Sequence, residues 1–143
     1  MNHKGYIEAN FDNLEALLTA VIRQLDSPKT RLALWLIEAF DFSPVESIPI
    51  GRESPLVNSN SQLAGFGQLF NFSAVNPEQL SIMLTAEDHL ACEIMHLEIE
   101  AQGSVQFAAY DNFGYVSFGD GISLHWLQTL KAQGIIADYQ LSG

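Results

Sequence analysis

The stretch that decides the fold is residues 95–109, with the sequence M-H-L-E-I-E-A-Q-G-S-V-Q-F-A-A. Apolar and polar side chains alternate on either side of Gly103, and a period of two residues is typical of a half-buried β-strand. The apolar face of the first strand contains Met95, Leu97, Ile99 and Ala101, and that of the second contains Val105, Phe107 and Ala109. This pattern predicts an antiparallel hairpin.

The loop of this hairpin can be derived from its two faces. A two-residue turn at 102–103 would place Ile99 opposite Gln106 and would mix apolar with polar side chains. A three-residue loop at 102–104 avoids this, and a slip of one residue would move every side chain to the wrong face. We therefore predict the three-residue loop, with a bulge. The expected pairs are Ala101 with Val105, Ile99 with Phe107 and Leu97 with Ala109.

The residues after the hairpin predict one more strand, a helix and a short last strand. Tyr115 to Phe118 form the strand, between turns at 110–113 and 120–121. Ser123 is placed to cap the helix, whose inner face contains Leu124, Leu127 and Leu130. Gly134 lies where a C-terminal cap glycine belongs, and residues 135–141 form the last strand.

The first half of the chain predicts helices. Asp12, followed three residues later by Glu15, resembles a capping box. An apolar stripe with helical spacing comes next, at Leu14, Leu17, Leu18, Val21, Ile22 and Leu25. Ser27-Pro28 favours the start of a second helix. The apolar run within residues 28–40 also suits a buried strand, and the sequence leaves that choice open.

Residues 48–62 are dominated by Gly, Ser, Pro and Asn, and are predicted to form a loop that joins two halves of one domain. Asn76-Pro77 favours a third helix, and the aromatic residues before it, Phe66, Phe70 and Phe72, are expected to pack in the core. The predicted fold class is α+β, with residues 1–143 as a single domain. We expect a helical N-terminal half, then a three- to four-stranded antiparallel meander in a single-layer sheet covered by helices.

Charge is distributed unevenly along the chain. The net charge is −11, and no basic residue occurs between Arg52 and Lys131. Binding of nucleic acids requires lysine and arginine to neutralise phosphates, and anionic membranes attract the same residues. Neither partner is expected. A basic protein, in contrast, would be attracted by this field.

Composition suggests where the protein works. Of the 143 residues, 48% are hydrophobic, which suffices for a core without metals or disulfides. Cys92 is the single cysteine, and proteins of reducing compartments need no disulfides. The longest apolar run, Leu32 to Ile37, is far shorter than the roughly 20 residues of a membrane span. No signal peptide is evident at the start, and we expect a cytoplasmic protein.

One candidate for chemistry is the outward row of the first hairpin strand, His96, Glu98 and Glu100. Alternate residues of a strand point to the same side, about 7 Å apart. A histidine and two carboxylates could bind a divalent metal ion, although neighbouring positions on one strand rarely converge on a single ion. We therefore expect a solvated acidic face, with partner binding as the alternative and without a metal or cofactor.

Two further groups of reactive residues precede this strand. Glu87-Asp88-His89 suggests acid–base chemistry, but adjacent residues in a loop more often form a polar turn. Cys92 could act as a nucleophile with His89 or His96 as its base. No helix N-terminus is predicted to activate its thiol, so packing is the expected role. Phosphate-loop, EF-hand, zinc and serine-hydrolase motifs are absent, which makes an enzyme the less favoured class.

Residues 110–121, Y-D-N-F-G-Y-V-S-F-G-D-G, combine four aromatic residues with two aspartates, a mixture typical of protein interfaces. The strand face and this segment together supply the predicted partner-binding residues, Glu98, Glu100, Tyr110, Asp111 and Asp120.

The sequence favours a small acidic protein-binding module that neutralises a basic partner, such as a bacterial immunity protein that inhibits a toxin by direct occlusion. The alternative is a small enzyme or ligand-binding domain with a pocket near His89, His96 and Glu98. A third hypothesis is a regulatory subunit that self-associates through the patch Phe66–Phe72. The oligomeric state stays open.

Overall fold

The computed structural model describes residues 4–56, 59, 63–86 and 93–142, and within these ranges eight β-strands form one sheet. The strands are β1 Gly5–Ala9, β2 Arg31–Leu36, β3 Ile48–Ile50, β4 Phe66–Asn71, β5 Ile94–Ala101, β6 Ser104–Tyr110, β7 Tyr115–Phe118 and β8 Ile136–Leu141. The helices are α1 Leu14–Gln24, α2 Pro77–Thr85 and α3 Leu124–Ala132. None of the helices in these ranges has the length and apolar character needed to cross a membrane.

All strand pairs are antiparallel, and the strand order is β3-β4-β2-β5-β6-β7-β1-β8. The predicted fold class is therefore wrong in two respects. Four strands lie in the N-terminal half that the sequence predicts to be helical, and the meander belongs to a sheet of eight strands. The strands β1 and β3 are short, and β1, β3 and β4 all pair with segments distant in sequence, so packing rather than local propensity determines them.

Residues 31–36, which the sequence allows as helix or strand, form strand β2. This strand lies between β4 and β5 and is covered on both faces, so five of its six residues are buried. A strand buried on both faces is apolar along its whole length and lacks the alternation that identifies half-buried strands. The predicted second helix is therefore wrong, and Ser27 and Pro28 belong to a turn in which Thr30 N–H donates to the Ser27 carbonyl.

The β5–β6 hairpin has a two-residue turn, so the predicted three-residue loop is wrong. Ala101 pairs with Ser104 rather than Val105, and Gln102 and Gly103 both have positive φ, at 56° and 84°. This conformation suits tight hairpins because its twist matches that of the strands. A bulge between Ile99 and Glu100 then places Phe107 and Ala109 on the face of Ile99 and Leu97. Val105, which the sequence predicts on that same face, instead packs on the second face. The other two expected pairs, Ile99 with Phe107 and Leu97 with Ala109, are confirmed.

Several local predictions for helices are confirmed. The stripe of α1 is buried, and α2 and α3 are capped by Asn76 and Ser123. Gly134 has φ 74°, and Ile135 N–H donates to the Leu130 carbonyl, which closes α3 as a Schellman motif. The predicted cap of α1 is wrong, because the N-cap residue of α1 is Asn13, without a side-chain cap hydrogen bond, and Asn10 instead accepts the Asp12 N–H in the 3₁₀ turn Phe11–Asn13.

The two faces of the sheet are covered differently. The helices pack on one face, and the main core there includes Leu34, Leu97, Phe107, Leu18 and Leu127. A smaller cluster on the second face contains Ala33, Trp35, Leu56, Leu63, Leu69, Val105, Ala108 and Tyr110. Leu56 and Leu63 come from the segment after β3, of which residues 51–56, 59 and 63 are described. We call this segment the covering loop.

Gly67 allows β3 to approach the sheet closely. It pairs with Ile50 on one side and Trp35 on the other. A Cβ atom at this position would lie 2.7 Å from Ile50 Cγ1, 2.8 Å from the Ile50 carbonyl oxygen and 2.8 Å from Trp35 Nε1. A larger residue would therefore displace β3 or the indole.

We expect Gly67→Ala to lower the free energy of unfolding by about 1–3 kcal/mol, the cost of forcing a methyl group into a packed site. Gly51→Ala is the matched control, because a Cβ there meets nothing within 4 Å, and its effect should stay within about 0.5 kcal/mol. Urea denaturation followed by tryptophan fluorescence measures both variants. Equal stability of the two variants would contradict the proposed close packing.

Candidate functional site

The predicted acidic face of β5 is buried. His96, Glu98 and Glu100 are 9%, 0% and 7% exposed. The strand lies in the middle of the sheet, and the covering loop packs over this face. The expectation of a solvated face is therefore wrong, because polar and apolar residues alternate here between a helix-covered face and a loop-covered face.

Glu98 is the centre of a buried polar cluster. Its carboxylate accepts a hydrogen bond from the Tyr110 hydroxyl at 2.6 Å and another from the Ser59 hydroxyl at 2.6 Å. The residues opposite it on the neighbouring strands are Ala33 and Ala108, whose small side chains leave room for this cluster. Buried carboxylates are costly unless hydrogen bonds compensate for the lost water, and here both oxygens accept bonds.

The next pair along the strand is ionic. Arg31 donates from Nε to one carboxylate oxygen of Glu100 at 2.9 Å and from its terminal nitrogen to the other oxygen at 3.0 Å. This fork geometry gives two parallel charge-assisted bonds. The bonds to Glu100 raise the pKa of Arg31, against the opposite effect of burial. The pair anchors β2 to β5 on the second face.

His96 is held as a neutral imidazole. Its Nδ1 lies 3.3 Å from the backbone nitrogen of Asp111 and accepts that N–H, which places the ring proton on Nε2. Burial disfavours the charged form and lowers the pKa of His96, although the carboxylates of Asp111 and Glu98 act in the opposite direction. The ring therefore supports the turn after β6 as a hydrogen-bond acceptor.

The backbone of that turn is strained. Asp111, Asn112 and Phe113 all have positive φ, at 54°, 54° and 68°. Residues other than glycine seldom adopt this conformation, and three in succession need support from their surroundings. Besides the bond to His96, the side-chain amide of Asn112 donates to the Ile94 carbonyl at 2.8 Å. The start of β5 thus fixes the position of Asp111.

The chemistry open to the Glu98 cluster is limited in this arrangement. Both carboxylate oxygens already accept hydrogen bonds, and the group has no exposed surface. A general base must lie within hydrogen-bond reach of the proton that it abstracts. Among the described residues, no three His, Cys, Asp or Glu side chains are grouped so as to hold a metal ion. The cluster fastens the covering loop to the sheet.

Some of the predicted chemistry lies outside the described residues. Glu87-Asp88-His89 and Cys92 fall there, and so does the His89 part of the alternative pocket. That alternative stays a prediction.

The structure separates the five predicted partner-binding residues. Glu98, Glu100 and Tyr110 are buried, whereas Asp111 and Asp120 are exposed. Asp111 follows the end of β6. Asp120 lies near the start of β6, because the N–H of the preceding residue, Gly119, donates to the Gln106 carbonyl. The two aspartates therefore lie at opposite ends of a strand of seven residues, about 20 Å apart.

Asp111 shares its end of the sheet with two other acidic residues. Ile37 N–H donates to the Glu93 carbonyl at 2.9 Å, which joins the end of β2 to the start of β5. Asn112 N–H donates to the Met95 carbonyl at 2.9 Å and brings the turn after β6 alongside. We call this region the acidic end; its carboxylates are Glu38, Glu93 and Asp111.

Large apolar side chains are exposed beside these carboxylates. Ile37 is 50% exposed and Phe66, which pairs with Leu36 at the end of β2, is 55% exposed. Exposed apolar residues next to charged ones often mark interaction surfaces. Sequence reasoning missed this region, which includes segments expected to be helix and core. One available signal was the stretch of residues 32–51, which contains three acids and no base.

A groove continues from the acidic end along the helix-covered face at the β3 edge. Its walls are Phe40, Pro49 and Phe66, and Gln68 forms its floor. Asp41 and Glu46 line the continuation, and the two adjoining cavities measure about 230 and 480 Å³. We call this region the edge groove. The carboxylate of Asp41 accepts the Ser43 N–H at 2.9 Å, which lowers its pKa.

Comparisons with known proteins find no match to this chain, whether against protein-family models, curated proteins or solved structures.

We expect Tyr110→Phe to lower the free energy of unfolding by about 1.5–3 kcal/mol, because it removes a donor from a buried carboxylate. Tyr139→Phe is the matched control, since the Tyr139 hydroxyl bonds to Gln128 at the exposed surface, and about 0.5 kcal/mol or less is expected. Chemical denaturation of both variants provides the measurement. A Tyr110→Phe effect no larger than that of the control would refute the role of Glu98.

The lowered pKa of His96 predicts that acid weakens the fold. The unfolded chain takes up a proton at this residue near pH 6.5, whereas the native chain does so only at lower pH. Stability therefore falls as the pH drops through and below 6.5. His96→Gln should show a smaller fall, and His125→Gln, at an exposed position of α3, should behave like the parent. If the parent protein, His96→Gln and His125→Gln all lose the same stability on acidification, His96 is not a buried neutral residue.

Proposed function

We propose that this chain is a protein-binding module whose acidic end receives a basic region of a partner protein. The observation that carries the proposal is the position of Glu38, Glu93 and Asp111 beside exposed Ile37 and Phe66. Apolar groups contribute affinity when a partner covers them, and surrounding charges select the partner and speed its approach. A net charge of −11 supports a basic partner over an acidic one.

The concrete form of the proposal is an inhibitor that occludes the basic surface of another protein, as a bacterial immunity protein does with its toxin. Toxins that act on nucleic acids present such basic surfaces. A cytoplasmic location belongs to the same proposal and rests on the single cysteine.

The predicted partner-binding residues take different parts in this proposal. Asp111 contacts the partner directly, and Glu98, Glu100 and Tyr110 act from beneath by holding β5 and the covering loop in place. Asp120, at the other end of the sheet, contributes only to the overall field. The residues added to the partner surface are Glu38, Glu93, Ile37 and Phe66.

The test compares two double variants with equal changes in charge. Glu38→Lys with Asp111→Asn alters the acidic end, and Asp26→Lys with Asp120→Asn alters exposed positions at the opposite end. Asparagine is used at position 111 because it tolerates positive φ. The partner is captured from a native lysate, identified by mass spectrometry and purified.

At low ionic strength we expect the acidic-end variant to associate with that partner roughly tenfold more slowly or worse. The control variant should change the rate by about twofold or less, and salt should reduce the difference. Stopped-flow fluorescence measures the rates, and thermal unfolding verifies that both variants fold. Equal slowing by the two variants would show that net charge acts alone and would refute the acidic end as the binding surface.

A further inference from the structure

The floor of the edge groove contains an unsatisfied hydrogen-bond acceptor. Gln68 Oε1 is buried, and it is the one buried side-chain polar atom among the described residues that lacks a hydrogen-bond partner. Buried acceptors without donors are costly, and each one in a native protein calls for an explanation. Gln68 borders both cavities of the groove. Because the oxygen itself is buried, the side-chain amide must rotate to present it to a donor that enters there.

The walls of the groove are apolar and its outer part is acidic. Phe40, Pro49 and Phe66 surround the approach to Gln68, and the carboxylates of Asp41 and Glu46 lie farther out along the same depression. Lysine and arginine combine a hydrocarbon stem with a cationic, donor-only head. Their stems match the apolar walls, and their heads match an acceptor with carboxylates nearby.

From this arrangement we infer that the edge groove binds a lysine or arginine side chain of the partner protein. The inference rests on the proposed function and extends it to a specific contact. The combined cavities exceed the volume of a single side chain, so the head keeps part of its hydration beside Asp41 and Glu46. The ionised carboxylates attract the cation, and Gln68 orients it by accepting a hydrogen bond.

Other occupants fit the groove less well. An added β-strand would have to pair with β3, which has three residues with Pro49 in the middle, and proline on an edge strand removes a donor and discourages pairing. A second copy of the chain would bring another charge of −11 against the same acidic rim. A purely apolar segment would leave the Gln68 acceptor unsatisfied.

The experiment uses small probes with the intact protein. Nα-acetyl-lysine methylamide and Nα-acetyl-arginine methylamide are titrated against it, with Nα-acetyl-norleucine methylamide as the uncharged control. Binding is followed by NMR through the side-chain amide of Gln68 and the ring of Phe40. We expect the cationic probes to shift these signals with dissociation constants on the order of millimolar, at least fivefold tighter than norleucine, and with weaker binding in high salt.

Two glutamine variants separate binding from folding. Gln68→Leu should weaken the cationic probes roughly tenfold or more, the loss of one charge-assisted hydrogen bond, without lowering the thermal midpoint, because it removes an unsatisfied buried acceptor. Gln140→Leu, an exposed position on the opposite edge strand β8, should leave probe binding unchanged. Glu46→Gln should weaken the binding of the two cationic probes and leave the binding of the norleucine probe unchanged.

Three results would overturn the assignment of the groove: equal binding of norleucine, unchanged binding by Gln68→Leu, or self-association through the groove in sedimentation experiments. Failure here is distinguishable from failure of the proposed function. If association with the partner is slowed by the acidic-end variant but the probes do not bind at Gln68, the assignment of the groove is refuted and the proposed function is not. If the probes bind at Gln68 but the two charge variants associate with the partner equally fast, the acidic end is refuted as the binding surface and the assignment of the groove is supported.

Discussion

The burial of the Glu98 carboxylate is the constraint around which the second face of the sheet is organised. An ionisable group without any exposed surface requires hydrogen bonds, and Tyr110 and Ser59 supply them from two separate parts of the chain. The small residues on the flanking strands make room for this cluster. The covering loop, the neutral state of His96 and the position of the turn after β6 all depend on keeping this face closed.

Because the middle of β5 is closed to solvent, the charge available to a partner lies elsewhere. Under the proposed function, the contacting carboxylates are those at one end of the sheet, where the ends of β2 and β6 and the start of β5 meet, although carboxylates elsewhere, such as Asp26, Asp120 and Asp138, are also exposed. The backbone hydrogen bond of Ile37 brings Glu38 to Glu93, which is 55 residues away in sequence, and that of Asn112 adds Asp111, which is 18 residues beyond Glu93. Under the proposed function, the rigid strands beneath them reduce the entropic cost of binding a partner there.

Helices, helix caps and strand alternation were predictable from the sequence because they depend on residues close together in the chain. The stripe of α1 predicts a helix because one helical face suffices to bury it, and Asn76, Ser123 and Gly134 act within a turn of their own helices. The alternation in β5 predicts a strand for the same reason. Its outward side was predicted to be solvated, because alternation identifies two different faces without revealing what covers each.

The sequence by itself determined the α+β character, the β5–β6–β7 meander with α3 and β8 after it, and the strong negative charge. Only the tertiary structure decided that residues 31–36 form a central strand, that Glu98 is buried, and that Glu38, Glu93 and Asp111 share one end of the sheet. The physical reason is that strand pairing and burial depend on contacts between residues far apart in the chain, whereas periodicity and capping depend on neighbours.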